Sequence, residues 1–138
     1  MAGAYADVEQ LLIGWLADVT DLRVVGELPV QVAEPTVQVG AIGGAETSPA
    51  TDRVSVDVDV FVPADADGEP RLETAQDLGQ WLRTLILRDL PGHTATVGGV
   101  KATVISARGL SRPVRRPYDE SGLRRVQASY SLLVASRG

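Results

Sequence analysis

The sequence predicts an α+β domain in which one mostly antiparallel sheet is covered by two helices. Three observations carry this expectation. Apolar residues recur at steps of three and four over residues 7–19 and again over 70–89, the period of a helix with one buried stripe. Residues 53–62 alternate strictly, with Val54, Val56, Val58, Val60 and Val62 set against Arg53, Ser55, Asp57, Asp59 and Phe61; this is the period of a strand with two unlike faces. Strand-like segments also follow one another without a helix between them, which favours antiparallel pairing. The predicted order is α-β-β-β-α-β-β, with the helices on one face of the sheet.

The first helix opens at Asp7, which is followed three residues later by Gln10 in the manner of a capping box. Its stripe is Val8, Leu11, Leu12, Trp15, Leu16 and Val19, and Asp18, Thr20 and Asp21 mark its end. Residues 22–28 read as a short strand closed by Pro29, and residues 36–42 as a second strand after Pro35. The stretch 43–52, Gly-Gly-Ala-Glu-Thr-Ser-Pro-Ala-Thr-Asp, reads as a flexible connection, long for a hairpin. Pro63 closes the third strand, and a polar loop leads to the second helix, where Pro70 fits the first turn. Glu73 and Asp77 suit the positive end of that helix, and Leu90-Pro91-Gly92 stops it. Residues 97–107 form the next strand. In the last strand Val126, Ala128, Tyr130, Leu132 and Val134 alternate with Gln127, Ser129, Ser131 and Leu133.

A chain of 138 residues with 44% apolar residues is expected to build one domain, 1–138, with an aliphatic core. The absence of Cys removes disulfides, thiolate nucleophiles and Cys-ligated zinc, and a single His rules out any site needing two imidazoles. No apolar run reaches the roughly 18–20 residues of a membrane span, and the N-terminus lacks the pattern of a signal peptide. The expectation is a soluble protein made in a cytoplasm. Its low pI argues against general nucleic-acid binding.

Charge is divided by position. Residues 1–70 hold thirteen Asp/Glu and two Arg, whereas residues 71–138 hold eleven Lys/Arg and five Asp/Glu. Twelve of the thirteen bases are Arg, the side chain suited to bidentate pairing at packed contacts. Two readings follow: the halves pair internally, or the acidic face of one copy meets the basic face of the next. The second is a head-to-tail contact, which closes into a ring when the rotation allows.

Asp57 and Asp59, with Asp52 nearby, form a carboxylate row able to hold a divalent cation or act as an acid/base pair; the alternative is a solvated or Arg-paired sheet face. Asp65-Ala-Asp67-Gly68-Glu69 lacks the remaining ligands of a calcium loop. His93 follows a helix stop and reads as a surface turn residue, with no Gly-x-Ser-x-Gly elbow to supply a nucleophile. The diglycines at 43–44 and 98–99 read as turns. Catalytic, cofactor and metal residues are therefore expected to be absent. Residues 108–123 form a long Arg/Pro-rich loop, a length that tends to be functional or disordered. Arg108, Arg112, Arg115, Arg116, Tyr118 and Leu123, with Arg124 and Arg125 after them, form a candidate protein interface, since Arg and Tyr are common anchors. A phosphate backbone is the other partner such an Arg cluster fits.

The residues Tyr5-Ala-Asp-Val-Glu-Gln-Leu-Leu, the Val-Asp-Val-Asp-Val-Phe strand, Leu90-Pro-Gly-His, Arg116-Pro-Tyr-Asp and Arg124-Arg125 give the chain a resemblance to a known family. It resembles the small tail-terminator (tail-completion) proteins in the neck of long-tailed bacteriophages infecting actinobacteria. The resemblance implies a non-enzymatic, cofactor-free virion protein that forms a homo-oligomeric ring, usually a hexamer, at the head-proximal end of the tail tube. Such a ring is made in the host cytoplasm, ends tube polymerisation, meets a head-side connector protein, and lets DNA pass through its lumen without sequence-specific binding. Asp52, Asp57 and Asp59 would then provide acidic surface for the neighbouring copy or line the lumen. The alternatives are another head–tail connector or head-closure subunit, and a small metal- or ligand-binding enzyme using Asp57 and Asp59.

Overall fold

The computed structural model describes residues 6–48, 50–63, 72–116 and 123–137. Helix α1 (Val8–Thr20) starts where Asp7 accepts a hydrogen bond from the Gln10 amide at 3.1 Å, and it ends at Asp21, whose φ of 58° is left-handed. The strands β1 (Arg23–Val25), β2 (Thr36–Ser48) and β3 (Thr51–Pro63) follow. Helix α2 (Leu72–Thr84) runs into a single π-helical turn, Leu85–Asp89, so the second helix is not α-helical to its end as its stripe suggested. The chain continues as β4 (Thr94–Val97), β5 (Val100–Gly109), β6 (Val114–Arg116) and β7 (Leu123–Arg137).

The sheet order is β1-β2-β3-β7-β5-β4, with β6 also paired to β7. Among the described strands only the β1–β2 pair is parallel, and the other pairs are antiparallel. The α+β expectation of a mostly antiparallel sheet under two helices is what the chain adopts. The middle of the sheet is β3 against β7, in unbroken register from Thr51↔Ala135 to Pro63↔Leu123.

Both helices pack on one face. Val56, Val58, Val60 and Val62 of β3 meet Val126, Ala128, Tyr130, Leu132 and Val134 of β7 there, beneath Leu12 and Leu16 of α1 and Leu82 of α2. Each aliphatic side chain so buried contributes about 1.5–3 kcal/mol. The sheet curls around α1, which touches β1, β2 and β4. Gly79 allows the close approach of α2: a Cβ there would lie 3.0 Å from Pro113 and 3.1 Å from Val126.

Three strand boundaries differ from expectation. Residues 22–28 shrink to a three-residue strand. Residues 43–52 are not a loose connection; β2 and β3 extend through them to Ser48↔Thr51, as one long hairpin with bulges at Ala41/Gly43 and Glu46/Ser48. The strand expected at 97–107 is two, folded at Gly98 and Gly99, whose φ values of 58° and 80° give the mirror-image turn a tight hairpin needs.

Candidate subunit interface

The Arg-rich segment is not a free arm. Its start, through Gly109, is the end of β5, paired to Tyr130. The Leu110 and Ser111 amides both donate to the Ser129 carbonyl, and the Ser129 amide donates back to the Ser111 hydroxyl at 3.0 Å. Arg83 of α2 donates to the Ser111 carbonyl, fixing the turn from the helix side. β6 then continues along the same edge of β7 that β5 has left, with Val114↔Gln127 and Arg116↔Arg125. A length of 16 residues gave no sign of this stitching, because the pairing strand is only three residues long. Val114 and the Ser111/Ser129 pair were the available signals, and both are weak.

The strands place the predicted bases unequally. Arg108, Arg112 and Arg115 are exposed, and Arg124 is half-buried. Arg116 lies beside Arg125 by register, but its side chain, and the whole of Tyr118, lie outside the described residues. Leu123 is not a surface anchor, since it is 7% exposed within the single chain.

Arg125 is engaged at home. Its Nε and Nη2 both donate to Oδ2 of Asp59, at 3.1 and 2.7 Å, and its guanidinium sits 5.8 Å from the Phe61 ring centroid. Asp59 is 6% exposed, so it is a buried partner of Arg125 and not a surface carboxylate. Its other oxygen, Oδ1, is buried without a hydrogen-bond partner among the described residues. Burial holds the Asp59 carboxyl above its usual range, against the lowering pull of Arg125. Asp57 is half-buried and accepts from the Ser129 hydroxyl and from Gln127. Of the two carboxylates Asp59 is thus Arg-paired, whereas Asp57 is held by neutral hydrogen-bond donors.

Asp52 is not in their row. In the unbroken register of β3 it shares the helix-covered face with Val54 and Val134, opposite to Asp57 and Asp59. Desolvation raises its pKa first, and Glu46 adds to the rise. Among the described residues no group of three or more His, Cys, Asp or Glu comes together. Nor is the helix-free face wholly acidic, because register puts Arg53, Arg108 and Arg125 on it beside Asp57 and Asp59.

Two clefts are open at the surface, and only the first borders these residues. One, of about 170 Å³, opens over Gln38, Gly40, Asp57, Asp59 and Arg125. The other, of about 600 Å³, lies between α1 and β4 along Gln10, Trp15, Asp18 and His93. His93 is half-buried there, its ring 6.1 Å from that of Trp15, and its backbone bonds Leu90 and Val104; it is more tied down than a surface turn residue. No helix among the described residues is long and apolar enough to cross a membrane.

The sequence halves map onto the two flanks of the sheet. Strands β1, β2 and β3 form one flank, and β7, β5, β4 and β6 the other. The strands of the acidic half thus form one side of the sheet and those of the basic half the other, with exposed Glu27, Glu34 and Glu46, beside Arg23, on the first and exposed Arg108, Arg112 and Arg115 on the second.

No family model and no curated protein matches this chain. A solved structure whose name describes no function is 18% identical to it, covering 91% of this chain and 89% of that one, with a TM-score of 0.46, too slight a likeness to inform function.

Proposed function

We propose that the protein is a non-enzymatic, ring-forming virion subunit of the tail-terminator kind, seated on the head-proximal end of a phage tail tube. The observation that supports this best is the lateral division of charge. A sheet with an acidic flank and a basic flank is suited to a heterologous contact, in which the same two unlike surfaces meet at every junction and close into a ring. Charge sets orientation and partner choice, while exposed apolar residues supply much of the binding. Ile105, Leu110 and Val114 on the basic flank and Ile42 on the acidic one are exposed and available for it. In such a ring the tail-tube protein and a head-side connector are the axial partners, and DNA crosses the lumen. The subunit is made in the host cytoplasm and ends in the virion neck.

Sedimentation and negative-stain imaging of the purified protein, alone and with tail tubes, test the reading. Rings are expected, and Arg112→Glu/Arg115→Glu should shift them towards monomer with the fold intact. A protein that stays monomeric at all concentrations and neither caps nor binds tubes would refute it.

A further inference from the structure

We infer that residues 43–45 of β2 in one copy pair antiparallel with residues 106–108 of β5 in the next, so that the sheet runs on from subunit to subunit; this rests on the ring reading above. β1 covers β2 only at Thr36–Gln38, and no described strand lies beyond the rest of that edge, where residues 41–47 are exposed. On the far side β4 covers β5 only at Val100–Thr103. Gly92 and His93 bond the Val104 backbone, and no described strand pairs with the outer edge of 105–109. Bare edges of this kind template strand addition unless Lys, Pro or a bulge blunts them. Neither 43–45 nor 106–108 contains Lys or Pro, and the bulges at Ala41/Gly43, Glu46/Ser48 and Val104/Ser106 flank the two stretches without interrupting them.

The two stretches also stand at the same height. Gly43 registers with Ser55, Ser55 with Ser131 and Ser131 with Arg108; by the same route Gly44 aligns with Ala107 and Ala45 with Ser106. Rotation about an axis along the strands, without translation, therefore brings them side by side. β2 and β5 run in opposite directions in one sheet, because β2 is parallel to β7 through β3 and β5 is antiparallel to β7. The rotation preserves strand direction, so the new pair is antiparallel. Ile42 (57% exposed) and Leu110 (52% exposed) then stand diagonally at the same end of the junction. Arg108 lies over Gly43, where no side chain obstructs it, and extends towards Asp57 on the same face.

Ala45 and Ser106 share height and face, which gives a direct test in a chain without cysteine. Ala45→Cys/Ser106→Cys, and the neighbouring combination Thr47→Cys/Ser106→Cys, are oxidised at ring-forming concentration and run on non-reducing gels. The expected result is a covalent ladder from at least one double variant, ending at the ring size seen by sedimentation, and none from Ala45→Cys/Lys101→Cys. Hydrogen exchange at 43–45 and 106–108 should slow by at least about a hundredfold on assembly. A ring that forms without ladder or protection would overturn the strand pairing while leaving the ring reading in place. A protein that never assembles would overturn both.

Discussion

Replacing Arg125 by Met isolates the buried charge on the helix-free face. Met keeps much of the side chain's hydrocarbon over Phe61 but removes both donors to Asp59 Oδ2. Asp59, whose side chain is 8% exposed, then carries its charge without its cation. Removing one partner of a fully buried pair costs about 3–5 kcal/mol. Arg125 is itself 27% exposed, so water recovers part of this, and about 2–3 kcal/mol is expected at neutral pH. That is roughly 6–15 °C in Tm for a chain of this size. The loss should depend on pH. The folded pKa of Asp59 is already raised above 3.8 by burial, so its contribution is intact below the unfolded value and is lost as pH rises through the folded one. Without Arg125 the folded pKa climbs further, and the loss at neutral pH deepens. Urea unfolding of both proteins from pH 3.5 to 8 should show a gap of about 1 kcal/mol or less in acid, the residue of the cation–π contact. The gap should widen above pH 4. Asp59→Asn in the Arg125→Met background should recover most of it. A gap that is constant across this range, or that narrows as pH rises, would refute the buried-pair reasoning.

Val58→Asp places a carboxylate in the aliphatic layer between β3 and the helices, at a residue 3% exposed, and should cost several kcal/mol and abolish cooperative unfolding by circular dichroism. Gly79→Val should destabilise by about 1–3 kcal/mol, read from urea midpoints, because its Cβ meets Pro113 and Val126 at about 3 Å. Tyr130, pushed up to about 12 by burial despite the nearby Arg83, should titrate near that value by ultraviolet absorbance in a variant whose other tyrosines are Phe, and the stability it holds below pH 10 should fade as pH rises through 12. Ring assembly should weaken but persist as salt approaches about 1 M, where the screening length is about 3 Å, with the sedimentation coefficient as readout.

Much of the fold was legible because its signals are periodic. Five valines at alternate positions define the buried face of β3, and the 3.6-residue stripe of α1 begins beside a capping Asp. The hairpin end of β2 and β3 was not legible, because Gly43, Gly44 and Ala45 have little strand propensity. It is strand because β3 is held in register by β7 to Thr51, and β2 follows β3. The same tertiary control explains β6: three residues with two adjacent arginines pair only because β7 offers an empty edge below Gly109. At the candidate site, sequence parity already places Asp52 on the opposite face from Asp57 and Asp59. What no pattern could supply was the partner, since the guanidinium that neutralises Asp59 lies 66 residues away.

That pairing changes what the charge division can do. Were every base in the second half spent on an acid in the first, the two flanks would be neutral in sum and nothing would orient a neighbouring copy. The β3–β7 seam, the most extensive contact between the two halves, shows where such pairing occurs: there Arg125 meets Asp59, and Arg53 donates to Ser131. Away from the seam, chain order carries exposed Glu27, Glu34 and Glu46 to β2 and the connection before it, and exposed Arg108, Arg112 and Arg115 to β5, β6 and the turn between them, on opposite flanks of the sheet. The internal reading therefore holds at the centre of the sheet. At the edges, opposite charge remains exposed, and in the proposed ring a second copy brings those two edges together.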